Sequence, residues 1–343
     1  MVLNIQNVLR WKPWIGMVLL FAVLLVPLST WTYLINSLNQ PMAIKGDSTL
    51  FLVQPGSSLT RVANELQSSG HLRSSRSFIF YALVQGNAES IQSGEYELTA
   101  GITALEFLDK MIKGDTFQYR ITLVEGWTLK QALDEIWSNP NIDRESTITG
   151  AESVATLLDL EVNWAEGMFY PDTYFFPKGT TDIDILRRAN ERMEQVLDEA
   201  WQSRLGALPY REPYDALIMA SIIEKESAEG SERGHIAGVF VRRLELDMRL
   251  QSDPTVIYGM GDKFEGNIRR EDILEETPYN TYRINGLPPT PIALAGIESI
   301  YASLNPIPSD YLYFVSRGDG THYFSSTLEE HNAAVRRFQL QPR

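Results

Sequence analysis

The sequence predicts an α+β chain: an N-terminal transmembrane helix, a β/α region of small repeated units, and a C-terminal mixed α+β domain. Three observations predict it. A charge-free apolar run occupies Trp14 to Asn36, and a strand, Gly turn and helix pattern recurs between Phe51 and Ile136. A helical segment from Tyr214 to Glu226 is then followed by a stretch dense in turn residues. With 343 residues, two or three compact units are expected. The formal net charge of −14 argues against nucleic acid, which needs clustered Lys and Arg to displace counterions, and against broad adhesion to anionic lipid. There is no cysteine, and His71, His235, His322 and His331 form no metal-ligand spacing. No metal and no cofactor are expected.

Along Trp14–Asn36 only Gly16, Pro27, Ser29 and Thr30 interrupt the aliphatic character, and no charge falls between Pro13 and Ala43. Roughly 20 apolar residues span a bilayer core of about 30 Å. Trp14, Trp31 and Tyr33 suit the two interfaces. Arg10 and Lys12 precede the run and Lys45 is the first cation after it, so positive-inside logic makes 1–13 a cytoplasmic tail, 14–36 the spanning helix, and places the rest outside. A cleaved signal peptide is the alternative, but no small-x-small site follows the run, which is long for a signal.

Gln40 to Asp47 reads as a short polar linker. Phe51–Gly56 is then strand-like and ends in a Gly turn, and Ser58–Leu66 has helical period. Ile121–Gly126 and Thr128–Ile136 repeat this, with a weaker copy from Tyr96 through Gly101 to Leu108. Thr103 with Glu106, and Thr128 with Gln131, are capping-box pairs. Generic α+β packing would give such copies, as would LysM-like modules that grip glycan. The aromatic segment Glu166–Pro177 either lines a sugar cleft or packs a core, and Asp182 to Leu208 is a long amphipathic helix.

At about 100° per residue, Met219, Ile222 and Ile223 share one arc of the next helix, with Glu226 near its middle and Glu224 almost opposite. A carboxyl on an apolar face is desolvated, which raises its pKa toward what a general acid needs. The alternative is a solvated helix end. Beyond it, Leu250–Gly259, Tyr279–Tyr282 and Gly286–Ile292 hold Gln, Asn and Tyr at turns, where they suit sugar hydroxyls or simply cap the chain.

The run Ala220–Ser227, the segment Gln251–Gly259, Tyr279–Tyr282, Gly286–Pro289, Tyr311–Val315 and His322–Ser325, with Glu166–Gly167 and Phe169–Tyr174, together resemble the endolytic murein transglycosylases (MltG, or YceG-like). Each motif alone is weak; the ordered set is specific and covers essentially the whole chain. One departure is Leu294-Ala295 before Gly296, where Asn-Pro is common.

The resemblance implies a LysM-like peptidoglycan-binding region at 45–150 and a transglycosylase domain at 151–343. It implies a lyase with Glu226 as general acid/base, cutting the MurNAc–GlcNAc bond without external water to leave 1,6-anhydro-MurNAc ends, and so terminating or trimming nascent strands. Candidate sugar contacts are Ser227, Gln251, Asn280, Tyr282 and Glu166. The expected partners are peptidoglycan strands and, by family analogy, peptidoglycan synthases, and no nucleic acid. The expected location is the bacterial inner membrane, single-pass, with the catalytic domain periplasmic. A hydrolytic muramidase using Asp253 or Glu166 as second carboxylate, and a noncatalytic envelope scaffold, are the alternatives.

Overall fold

The computed structural model describes residues 13–226 and 229–340, so the cationic tail at Arg10 and Lys12, and Ser227, lie outside the described residues. The chain forms two compact units, Met1–Tyr119 and Arg120–Arg343.

The first unit opens with α1 (Pro13–Leu38), whose 20–38 portion is long and apolar enough to cross a membrane. Leu20, Phe21 and Val26 are each about 60% exposed, as lipid-facing groups would be in water. The polar residues beside Pro27 turn inward: the Ser29 and Thr30 hydroxyls both donate to the Val26 carbonyl, at 2.9 and 2.7 Å. That keeps hydroxyls satisfied within the helix, as a bilayer demands.

Then come β1 (Ser48–Val53), α2 (Leu59–Ser68), α3 (Ser75–Val84), β2 (Gly94–Thr99) and α4 (Ala104–Lys113). β1 and β2 pair antiparallel, Ser48 opposite Thr99 and Val53 opposite Gly94. Val62, Leu66, Phe78, Leu98 and Phe107 close the core beneath them.

The expected linker is instead part of this unit. Leu38 is 3% exposed and Met42 7%; Met42 N–H donates to the Ile102 carbonyl at 2.8 Å and Ala43 N–H to that of His71 at 3.2 Å. Apolar Met42 and Ile44 draw the segment in, which its polar ends concealed.

All three sequence copies form a strand, turn and helix. Gly56, Gly101 and Gly126 hold φ of 74°, 93° and 75°, the left-handed region that glycine enters without a Cβ clash. Ser58, Thr103 and Thr128 cap the helices, the last two in full capping boxes.

The third copy belongs to the second unit, which begins in β3 (Tyr119–Thr122) and continues through α5 (Leu129–Ser138), α6 (Ala151–Leu157), β4 (Thr173–Phe176), α7 (Asp182–Gln202) and α8 (Pro213–Glu226). β3 pairs with β4, and Leu123 N–H reaches the Asp172 carbonyl at 3.0 Å. Gly126 and Trp127 exchange backbone bonds with Leu294, at 2.8 and 2.7 Å. These bonds tie the copy downstream, so the compact division falls before the functional boundary expected at 150/151. Leu294 and Ala295, the departure from the Asn-Pro pattern, are fully buried. The aromatic segment packs as core at Phe169, Tyr174 and Phe176, with Phe175 exposed.

The rest comprises α9 (Arg233–Glu245), α10 (Asp253–Met260), α11 (Arg270–Leu274), α12 (Ile297–Leu304), the hairpin β5 (Tyr313–Ser316) and β6 (His322–Ser325), and α13 (Leu328–Phe338). α7, α9, α10 and α12 pack around α8. Hence α8 is buried on every side from Ala216 to Ile223, where the sequence predicted one apolar arc. Even Ser221 is enclosed, donating to the Ile218 carbonyl at 2.7 Å and accepting from Ile292 N–H at 3.0 Å.

Gly167 fixes a tight turn at φ 75°, where an added Cβ would run into the Pro291 ring and lie 3.1 Å from the Ala293 carbonyl oxygen. Gly167→Ala is therefore expected to lower stability by about 3 kcal/mol, from backbone strain plus overpacking. A thermal melt checks it, and an unchanged midpoint would contradict it.

Candidate catalytic site

Glu226 is the last residue of α8, where the helix C-terminus disfavours a negative charge. Its residue is half-buried but its carboxyl is desolvated, and that burial pushes its pKa up to about 7; Asp253 nearby pushes the same way, while Ser252 and Arg243 oppose. Ser252 Oγ donates to Oε1 at 2.5 Å.

Ser252 is available for this because it stands at the N-cap of α10 without capping it. Its backbone N–H donates to Thr281 Oγ1 at 2.9 Å, and its carbonyl accepts from Thr255 Oγ1 at 2.7 Å. With Ser252 1% exposed and Thr255 and Thr281 fully enclosed, these two bonds fix the backbone that carries the hydroxyl under Glu226.

The turn before Ser252 is strained. Gln251 is non-glycine at φ 52°, held by its N–H on the Thr281 carbonyl at 3.2 Å, with its side chain at the surface. Arg243, only 6% exposed, pins this turn from below: Nη1 donates to the Leu250 carbonyl at 2.6 Å and Nε to that of Leu312 at 2.7 Å. Its guanidinium also lies 5.2 Å over the Tyr313 ring. Tyr282 donates to Asp253 Oδ1 at 2.7 Å, and the charges of Asp253 and Glu226 hold its phenol up after burial has raised it.

Of the residues singled out by sequence, Gln251 and Tyr282 thus gather at the Glu226 corner. Asn280 does not face it: at 1% exposure, its amide donates to the Asp272, Ile273 and Glu275 carbonyls and its oxygen accepts Tyr282 N–H. It closes the loop that presents Tyr282. Glu166 is 4% exposed and accepts from Leu129 N–H at 2.8 Å and Tyr258 O–H at 3.1 Å; burial raises its pKa to about 7 against those bonds. Burial thus raises two carboxyls to about 7, Glu166 held by a backbone and a tyrosine donor and Glu226 by the Ser252 hydroxyl.

Glu224 points away from Glu226, as its phase requires. It pairs with Arg233 at 3.1 Å, with side chains 5% and 10% exposed, and accepts Gly296 N–H at 3.0 Å. Glu224→Gln is expected to keep catalytic turnover per folded molecule while costing about 3 kcal/mol of stability, since one partner of a buried pair is lost. Assay and melt together check this.

Sequence reasoning missed Ser252 as the partner of Glu226, and Arg243. Ser252 lay within a motif; Arg243 had no signal separating it from the neighbouring Arg242. Ser252→Ala removes a bond that favours the carboxylate, so the alkaline limb of the rate profile is expected to move upward in pH. An unmoved limb would contradict the coupling.

The profile of the YceG-like family matches residues 51–337. An endolytic murein transglycosylase of Bacillus subtilis (strain 168) is 30% identical over 326 residues, covering 88% of each chain. One from Streptococcus pneumoniae (D39) is 28% identical over 317 residues, covering 82% of this chain and 57% of its own. The 2.6 Å crystal structure of the yceG-like protein lmo1499 from Listeria monocytogenes superposes with a TM-score of 0.54 at 30% identity, covering 84% of this chain and all of that one. The motifs, the buried Glu226 corner and these matches lead to one assignment: the chain belongs to the YceG-like family.

Proposed function

We propose that this protein is an endolytic lytic transglycosylase of peptidoglycan, a lyase in which Glu226 is the one acid/base. The observation that carries the reading is a desolvated carboxyl at the end of α8 with its pKa near 7, set on Ser252 in a family whose named relatives are endolytic murein transglycosylases.

Protonated Glu226 donates to the oxygen between MurNAc C1 and GlcNAc as that bond breaks. Positive charge develops at C1, and the carboxylate, steadied by Ser252 O–H, takes the proton of the muramyl C6 hydroxyl as its oxygen closes on C1. One proton leaves and one returns, so no water is consumed and the new end is 1,6-anhydro. Gln251 and Tyr282 hold sugars, with Ser227 beside Glu226 in sequence; Asn280 and Glu166 serve by fixing the loop and turn behind them.

In this reading α1 anchors the chain in a bacterial inner membrane, with the tail cytoplasmic and the domain periplasmic, near the synthases that make strands. The β/α region grips glycan. The enzyme terminates or trims nascent strands.

A hydrolytic reaction is the second reading, because Asp253 lies close enough to Glu226 to raise its pKa. Mass spectrometry of products from purified sacculi separates the two. Anhydro ends are expected; ends one water heavier would point to hydrolysis, and no cleavage to a scaffold.

A further inference from the structure

Outside the catalytic unit, α3 carries an apolar face that the fold leaves uncovered. Phe80, Leu83 and Val84 are 52%, 59% and 55% exposed, while Phe78 and Ala82 on the other side are fully buried. Arg76, Phe80, Leu83 and Val84 stand at i, i+4, i+7 and i+8, one face of a helix. Arg73 and Arg76 are exposed and have no ion-pair partner among the described residues.

This face is tied in depth to α1. The Trp31 and Tyr81 rings stack with centroids 6.0 Å apart at 23°, and α3 packs along α1. Leu34 rests against the core of the first unit and Leu38 lies within it, so there is no slack between the apolar helix and the unit. Counting about 20 residues for a bilayer core from Trp14 ends near Tyr33, which is 77% exposed. Trp31, Tyr33 and Tyr81 then occupy the level at which amphipathic rings collect.

From this we infer that α3 lies in the lipid–water interface of the membrane that α1 crosses, its Phe80–Leu83–Val84 face among the acyl chains and Arg73 and Arg76 on lipid phosphates. The first unit is thereby seated on the bilayer by two helices, which fixes its orientation where a single helix would leave it free to swing. The inference rests on the proposed anchor role of α1.

The chain has no cysteine, so single labels are clean. Full-length Leu24→Cys and Leu83→Cys variants, each carrying an environment-sensitive fluorophore, would be reconstituted in phosphatidylglycerol and phosphatidylcholine vesicles with lipid-borne quenchers. Both labels are expected to be blue-shifted and quenched, with position 83 about 5–10 Å into the headgroup–acyl boundary and position 24 deeper. Quenching at 24 with a water-like label at 83 would overturn the inference and leave the anchor standing. A blue-shifted label at 83 that lipid cannot quench would also overturn it, since protein would then cover the face. Absence of quenching at both positions would remove the anchor and the inference together. Phe80→Cys repeats the reading should Leu83→Cys fold poorly.

Discussion

Glu226→Gln is expected to lower anhydro-product formation by about 10⁴-fold or more while leaving the fold and glycan binding intact. A positioned acid or base contributes roughly 10²–10⁴, and in the proposed mechanism one carboxyl performs both transfers, neither of which an amide can make. The amide oxygen still accepts from Ser252 Oγ, so the corner keeps its shape. The wild-type carboxyl, by contrast, must ionise inside the protein as pH rises. Its folded pKa of about 7 lies above the ordinary carboxylate value, so its favourable contribution is full below about pH 4 and is lost as pH climbs through about 7. The variant lacks that loss. It should therefore melt relatively higher at pH 8 than at pH 5, by an equivalent of on the order of 3 kcal/mol. Wild-type turnover in the variant would remove Glu226 from the chemistry.

Arg243→Met is expected to cost about 3–5 kcal/mol of stability and most of the activity, because the Leu250 and Leu312 carbonyls lose a buried charged donor. It acts as a positioning residue: it touches the turn that bears Ser252 rather than any reacting atom. Loss of its charge also removes an influence holding the Glu226 pKa down, so residual activity should show its alkaline limb at higher pH. A merely structural role would lower activity without moving that limb. Chemical denaturation and a pH–rate profile read the two effects separately.

Much of this arrangement can be read before any coordinates, for local reasons. The long apolar helix α1 declares itself by thirty-odd positions without charge, and the strand–turn–helix copies by glycines that φ then requires and by caps three residues ahead of their partners. The desolvation of Glu226 is legible because its phase with Ile222 is set by the helix alone, although α8 proves buried all round from Ala216 to Ile223 and Glu224 goes inward as well. What escapes is long-range. Ser252 meets Glu226 across a turn that only Arg243 and Thr281 explain, and Arg243 and Arg242 look alike until one is enclosed. Asn280 reads as a sugar contact because Asn at a turn has two roles, and here it bonds its own loop. Gln40–Asp47 reads as a linker because Met42 and Ile44 are only two apolar groups, too few to show a period.

The most direct measurement is the titration of the Glu226 carboxyl itself, as the difference between wild-type and Glu226→Gln infrared or carboxyl ¹³C NMR spectra, set against the rate of anhydro-product formation. The carboxyl is expected to lose its proton near pH 7, with the rate falling through the same pH. A midpoint in the ordinary carboxylate range, about 4.3, with full activity well above it, would contradict it.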